Sequence, residues 1–259
     1  MTNSTDATLY EVSEGVATIT LNRPDNKNAL SVEMVNSIGD HLAEAQLDPG
    51  VRAILFTNSG NTFCAGADLK ASQPGVTQPE ARHSFVQILD DIIESPKPVL
   101  GQIAGHCTGG GVGLAAAFDI SIAADDIIVG FTEVRIGVAP AVISVICLPK
   151  LSRADASELF LSGERIPASR AAEVGLINHA VPRERLDEAM QEALQKVVRG
   201  GPNALAASKQ LVSKVPQMQR SDAWEWTAEL SQSLFQSSEA EEGISAFRER
   251  RDASWVPND

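Results

Sequence analysis

GHCTGGGVG, residues 105–113, is the stretch whose reading decides the fold, and five of its nine residues are glycine. The apolar run PVLGQIA precedes it at residues 98–104, and the small apolar run LAAAF follows at residues 114–118. Apolar run, glycine turn and small-residue run predict a strand, a tight turn and a helix in that order. Glycine lets the backbone come close to another group. A helix that begins there aims its unpartnered first-turn N–H groups at whatever arrives, so the stretch predicts a ligand site.

Three known glycine motifs meet this stretch with different success. The dinucleotide pattern GxGxxG fails, because Leu114 stands in the last slot of the run that begins at Gly109. The phosphate loop GxxxxGK followed by Ser or Thr does not occur in the chain. Gly105-His-Cys-Thr-Gly109 does match the nucleophile elbow of α/β hydrolases, with Cys107 as nucleophile and His179 as base. That match leaves Gly110, Gly111 and Gly113 without a purpose.

The chain has 259 residues, enough for one large domain or a domain with a smaller appendage. Its formal charge of −13 argues against binding a nucleic-acid backbone as the main activity. The three cysteines, Cys64, Cys107 and Cys147, form no CxxC pair, and four scattered histidines complete no zinc set. The polar start MTNSTDATLYEV has no apolar signal core, and no run reaches the roughly 18 apolar residues of a membrane span. Reduced thiols, a cytoplasmic location, no metal, no nucleic acid and no membrane are the expectations.

Along the chain, residues 9–11 and 16–21 read as strands around a turn at Ser13-Glu-Gly15. Ser31 is placed to cap a helix over residues 32–47, whose Met34, Val35, Ile38, Leu42 and Ala45 share a face. A buried strand is expected over 51–57, a turn over 58–61, a Pro/Gly-bearing loop over 72–78 and a helix over 81–94. After the glycine stretch, 119–124 and 127–131 read as strands. From Ala141 onward strands look rare, and helical patterns cover 143–151, 154–161, 169–174, 183–198, 204–215, 222–235 and 239–250. The first half therefore alternates strand and helix around a parallel α/β core, and the C-terminal part is helical.

Several separated segments carry a resemblance: LNRPDNKNAL, FCAGADLK, PVLGQIAGHCTGGGVGLAAAFDISIAA, FTEVRIGVAP, LSGERIPASRAAEVGLINHAV and EGISAFRERRDASW. In this order they resemble the crotonase (enoyl-CoA hydratase/isomerase) family over nearly the whole chain. The resemblance implies an α/β spiral of ββα units over residues 1–200 and a helical trimerisation region over 201–259. It further implies an acyl-CoA thioester as ligand, no cofactor beyond the coenzyme A of the substrate, and a homotrimer or a dimer of trimers.

The same resemblance implies site residues. The N–H groups of Ala67 and Gly110 would form an oxyanion hole for the thioester carbonyl, the Gly110 donor being assisted by the helix dipole. Asp25, Asn26, Lys27 and Ala29, with Ala65, Asp68 and Leu69, would contact the coenzyme A portion. Glu133, in FTEVRIG, stands at the family's second catalytic glutamate; a bland alternative is a Glu paired with Arg135. The first glutamate of the two-glutamate hydratases falls at Gly113, which has no side chain to hold water or move a proton. The leading expectation is a 2-enoyl-CoA hydratase-like enzyme with one glutamate. A Δ3,Δ2-enoyl-CoA isomerase, which needs one base, is the alternative, and a non-catalytic acyl-CoA binder is the third.

Overall fold

A computed structural model describes residues 6–70 and 79–256. The loop expected over 72–78 lies outside the described residues. The chain opens with a hairpin of β1 (Thr8–Ser13) and β2 (Val16–Leu21). Glu14 and Gly15 both take positive φ, 50° and 75°, as a two-residue primed turn requires. On β2, Ala17, Ile19 and Leu21 point inward and are fully buried.

α1 spans Val32–Leu47, and the Ser31 side chain caps it by accepting from the Met34 N–H at 3.2 Å. Then follow β3 (Ala53–Asn58), β4 (Thr62–Cys64), α2 (Phe85–Ile93), β5 (Val99–Ile103) and β6 (His106–Thr108). α2 is shorter than the predicted helix, because Ser84 caps it by accepting from Gln87 N–H. α3 (Gly110–Ala117), β7 (Ile120–Ala124), β8 (Ile128–Gly130) and a 3-10 turn over Thr132–Ile136 come next. The rest comprises α4 (Ala141–Cys147), α5 (Arg153–Ser162), β9 (Arg165–Pro167), α6 (Ala168–Glu173), β10 (His179–Val181), α7 (Leu186–Val198), α8 (Pro202–Lys214), α9 (Arg220–Phe235) and α10 (Ser238–Glu249).

The strands divide between two sheets. One has the order β1-β2-β3-β5-β7-β10 and the other β4-β6-β8-β9. From β3 to β8, successive strands go to alternate sheets, so each turn of the chain adds one strand to both. β1–β2 and β8–β9 are antiparallel, and the remaining pairings are parallel. A single parallel core read from the residues alone is thus corrected to two mixed sheets. β9 and β10 also lie in the part expected to be poor in strands; at three residues each, they are too short for alternation to show.

Aromatic rings fill the space between the sheets. Phe118 stacks on Phe56 at 5.2 Å and meets Phe63 edge-on at 6.2 Å. A Cβ at Gly101 would come within 2.0 Å of the Phe118 ring, so β5 needs glycine there. The C-terminal helices are tied to this core through α8. Lys209 Nζ lies 2.7 Å from Asp119 and donates to the Ile92 and Lys97 carbonyls at 3.1 Å. Only 9% of the Lys209 side chain is exposed, so loss of one partner would leave an uncompensated buried charge.

Candidate active site

The site begins with residues 23–30, where Pro24–Asn26 forms a 3-10 turn and Lys27 and Asn28 take positive φ, 54° and 50°. Asn28 is fully buried and secures this turn. Its Oδ1 accepts from Arg23 N–H at 2.6 Å, and its Nδ2 donates to the carbonyls of Thr62 at 2.7 Å and Ser59 at 3.1 Å. Sequence reasoning named the neighbours of Asn28 and passed over Asn28 itself. The available clue was turn chemistry, because Asn tolerates the left-handed region that this position needs.

The turn is laced to the segment after β4. Ala65 N–H donates to Lys27 O at 3.1 Å, Leu30 N–H to Gly66 O at 2.8 Å, and Asn26 Nδ2 to Asp68 Oδ2 at 3.1 Å. Because β4 and β6 are neighbours in the smaller sheet, the loops that leave them lie side by side. Gly66 has φ of +83°, and a Cβ there would stand 2.9 Å from Gly110 N. A Cβ at Gly111 would meet Cys64 O at 2.5 Å. Glycine at 66 and 111 thus allows the 65–68 loop to lie directly against the start of α3. Gly110 is the first residue of α3, so its N–H has no acceptor one helical turn back within α3.

A cavity of about 1080 Å³ opens on this junction. Ala65, Ala67, Leu69, Gly110 and Glu133 lie on its wall, together with apolar Leu30, Phe85 and Val142. The sequence-named residues Asp25, Asn26, Lys27, Ala29 and Asp68 are not on that wall. Asp25, Asn26, Lys27 and Ala29 belong to the laced turn and Asp68 to the segment it is laced to, with Asp25 and Lys27 exposed and Ala29 buried.

Glu133 is carried on the Thr132–Ile136 turn, opposite Gly109. A Cβ at Gly109 would lie 3.6 Å from Glu133 Oε1, so the carboxylate rests over the glycine turn. Gly109 itself is anchored by its N–H donating to Gly130 O at 3.0 Å. Glu133 Oε2 is buried and has no hydrogen-bond partner among the described residues. Burial raises the Glu133 pKa above the ordinary carboxyl value, against a smaller lowering by its own backbone N–H. The alternative pairing with Arg135 is not what the side chain does: Arg135 Nε donates to Gly163 O at 3.2 Å.

Gly113 lies one turn along α3 and is buried against α4. A Cβ there would come within 2.2 Å of Ile143 Cγ2 and 2.9 Å of Ile143 Cβ. The slot of the absent glutamate is therefore filled by an aliphatic side chain that is itself 2% exposed. The hydrolase reading does not survive this geometry. Cys107 sits inside β6 rather than on the turn, fully buried, and burial pushes its thiol well above the usual range. His179 stands on β10 in the other sheet. Among the described residues no cluster of three or more His, Cys, Asp or Glu is arranged to hold a metal ion. No helix among them is long and apolar enough to cross a membrane.

Comparison with known proteins joins these observations. The family model described as enoyl-CoA hydratase/isomerase matches residues 11–258. A Thermus thermophilus protein provisionally named an enoyl-CoA hydratase is 33% identical over 250 residues, covering 94% of this chain and 98% of its own. The crystal structure of an enoyl-CoA hydratase from Mycobacterium smegmatis superposes with a TM-score of 0.88 at 29% identity, covering 96% of this chain and 98% of that one. A structure from Mycobacterium avium paratuberculosis, provisionally titled an enoyl-CoA hydratase, is 40% identical with a TM-score of 0.73, covering 96% and 99%.

Proposed function

The chain belongs to the crotonase (enoyl-CoA hydratase/isomerase) family, and from that premise we propose that it adds water across the double bond of a 2-enoyl-CoA thioester. The observation that carries this reading is the Glu133 carboxyl on the cavity wall, with one oxygen over Gly109 and the other buried without a partner. In the proposed step the protonated carboxyl gives its proton to C2 of the enoyl group. Its other oxygen accepts a proton from the water whose oxygen bonds to C3. The carboxyl ends protonated as it began, so one group serves as acid and base and the atoms balance. Charge that develops on the thioester oxygen is met by the Ala67 and Gly110 N–H groups, a type of donor worth about 3–4 kcal/mol when removed singly from a serine protease. Asp25, Asn26, Lys27, Ala29, Ala65, Asp68 and Leu69 are proposed to hold the coenzyme A portion. The helices beyond residue 200, where Trp224, Phe235 and Phe247 are exposed, are proposed to assemble copies of the chain into a trimer.

The test follows the absorbance of the conjugated thioester in crotonyl-CoA. Loss of absorbance that disappears in Glu133→Gln supports the reading; full activity in that variant overturns the role given to Glu133. A second reading is favoured by Ile143, which occupies the place of a second carboxylate. With one base, a Δ3,Δ2 isomerisation takes a proton from C2 and returns it at C4, and absorbance rises with a 3-enoyl-CoA substrate. The two readings use opposite forms of Glu133. Hydration falls as pH rises through its raised pKa, whereas isomerisation increases. Binding of a saturated acyl-CoA without either turnover would leave a non-catalytic binder.

A further inference from the structure

The wall that carries Glu133 also carries two arginines for which the proposed reaction has no use. Arg135 stands two residues after Glu133 on the same 3-10 turn. Arg165 opens β9 and pairs in register with Gly130, the residue whose carbonyl anchors Gly109. Both line the cavity, and both are exposed to it. In this acidic chain several arginines rest against a carboxylate, among them Arg23, Arg170, Arg183 and Arg251. Among the described residues Arg135 and Arg165 make no ion pair. Arg135 is held in place by its Nε bond to Gly163 O, which leaves its terminal nitrogens unspent. Glu164, which precedes Arg165 in the chain, and Glu133 are the acidic residues on the wall and set a repulsive limit on where an anion can sit. The remaining surface nearby, Ile136, Val138 and Val142, is apolar.

A cavity lined by apolar side chains and by two guanidiniums without an ion pair suits a chain with a charged end, because arginine presents a planar fork that matches a carboxylate. We propose that Arg135 and Arg165 form a subsite for an anionic group at the far end of the acyl chain, so that the preferred substrate is an enoyl-CoA with a terminal carboxylate. This rests on the acyl-CoA reading of the cavity. The phosphates of coenzyme A offer similar chemistry. The acyl carboxylate is favoured because Arg135 shares the turn that carries Glu133 and Arg165 pairs with Gly130, whose carbonyl anchors the glycine under that carboxylate, whereas residues 25–29 do not line the cavity.

The experiment compares pent-2-enedioyl-CoA with pent-2-enoyl-CoA as substrates, and succinyl-CoA with butyryl-CoA as calorimetric ligands. The charged member is expected to lead by roughly 10- to 100-fold in kcat/KM and in affinity, a charge-assisted bond at an exposed site falling toward the lower end. The lead should shrink as ionic strength rises. Arg165→Ala and Arg135→Ala should each cut the ratio, and Arg165→Glu should invert it. Equal values for both members in the wild type overturn the subsite while leaving the hydratase reading intact. No turnover of either substrate, with tighter binding of succinyl-CoA that Arg165→Ala erases, overturns the reaction while leaving the subsite. If the variants weaken both members alike, and a pantetheine thioester without phosphates escapes the effect, the arginines serve coenzyme A and the proposal fails.

Discussion

The two walls of the cavity are built on opposite terms. One wall, formed by Leu30 with Ala65, Gly66, Ala67 and Leu69, is laced to the turn of residues 23–29, which short polar bonds tie down, and Asn28 alone supplies three of them. The facing wall, from Thr132 through α4, presents a buried carboxylate oxygen without a partner and an isoleucine pressed into a helix. The first arrangement suits backbone donors, whose value depends on being held in position before charge develops. The second suits a proton carrier, since a carboxyl with few partners in an apolar setting keeps its proton to higher pH. On the proposed reading, positioning and proton transfer reside in different elements that meet at Gly109.

This contrast can be broken most severely at Glu133. Glu133→Gln is expected to lower kcat/KM roughly 10²- to 10⁴-fold with little change in fold, checked by steady-state kinetics beside circular dichroism. On the tied wall, Asn28→Ala should cost about 2–3 kcal/mol of stability, because it strands the Thr62 and Ser59 carbonyls and the Arg23 amide. Urea unfolding measures that loss, and an unchanged midpoint would mean that the lacing contributes nothing. Gly113→Ala should cost about 1–3 kcal/mol by forcing a methyl group into Ile143. In an Ile143→Ala background the penalty should shrink, and a double-mutant cycle with zero coupling would refute the packing account. The smallest effect concerns pH. Glu133 binds its proton more tightly in the folded chain than in the unfolded one. Stability should therefore fall slightly as pH rises from the ordinary carboxyl value through the raised folded value, and level off on either side. Thermal melts of wild type and Glu133→Gln across that window should differ in slope only there.

Legibility in the sequence followed the range of the interaction. α1 was readable to its ends, since Ser31 caps it and Asp48-Pro-Gly50 stops it within the neighbouring residues. The hairpin of β1 and β2 was readable for the same reason. β6, β9 and β10 were not, because three residues show no period and none of them lies in a continuous apolar run such as the one that marks β8. The division into two sheets depends on pairings such as Cys64 with Cys107, which join residues far apart in the chain. At the site, Gly113 announced a missing carboxylate, but its replacement by Ile143 depends on how α3 meets α4. Asn28 stayed hidden because a turn asparagine usually serves only its own turn, and here it also binds Ser59 and Thr62, at the connection between β3 and β4.

Alternation of strands between sheets has a thermodynamic consequence for any ligand of this cavity. The loops bearing Ala67 and Gly110 are seated by the adjacency of β4 and β6, a pairing made by the backbone of the sheet itself. A ligand that takes hydrogen bonds from both need not spend association free energy on ordering either loop, and keeps what a floppy site would forfeit. Affinity at this end of the cavity should accordingly show a small entropic penalty for the backbone, with the ordering cost falling on the ligand's own rotatable bonds.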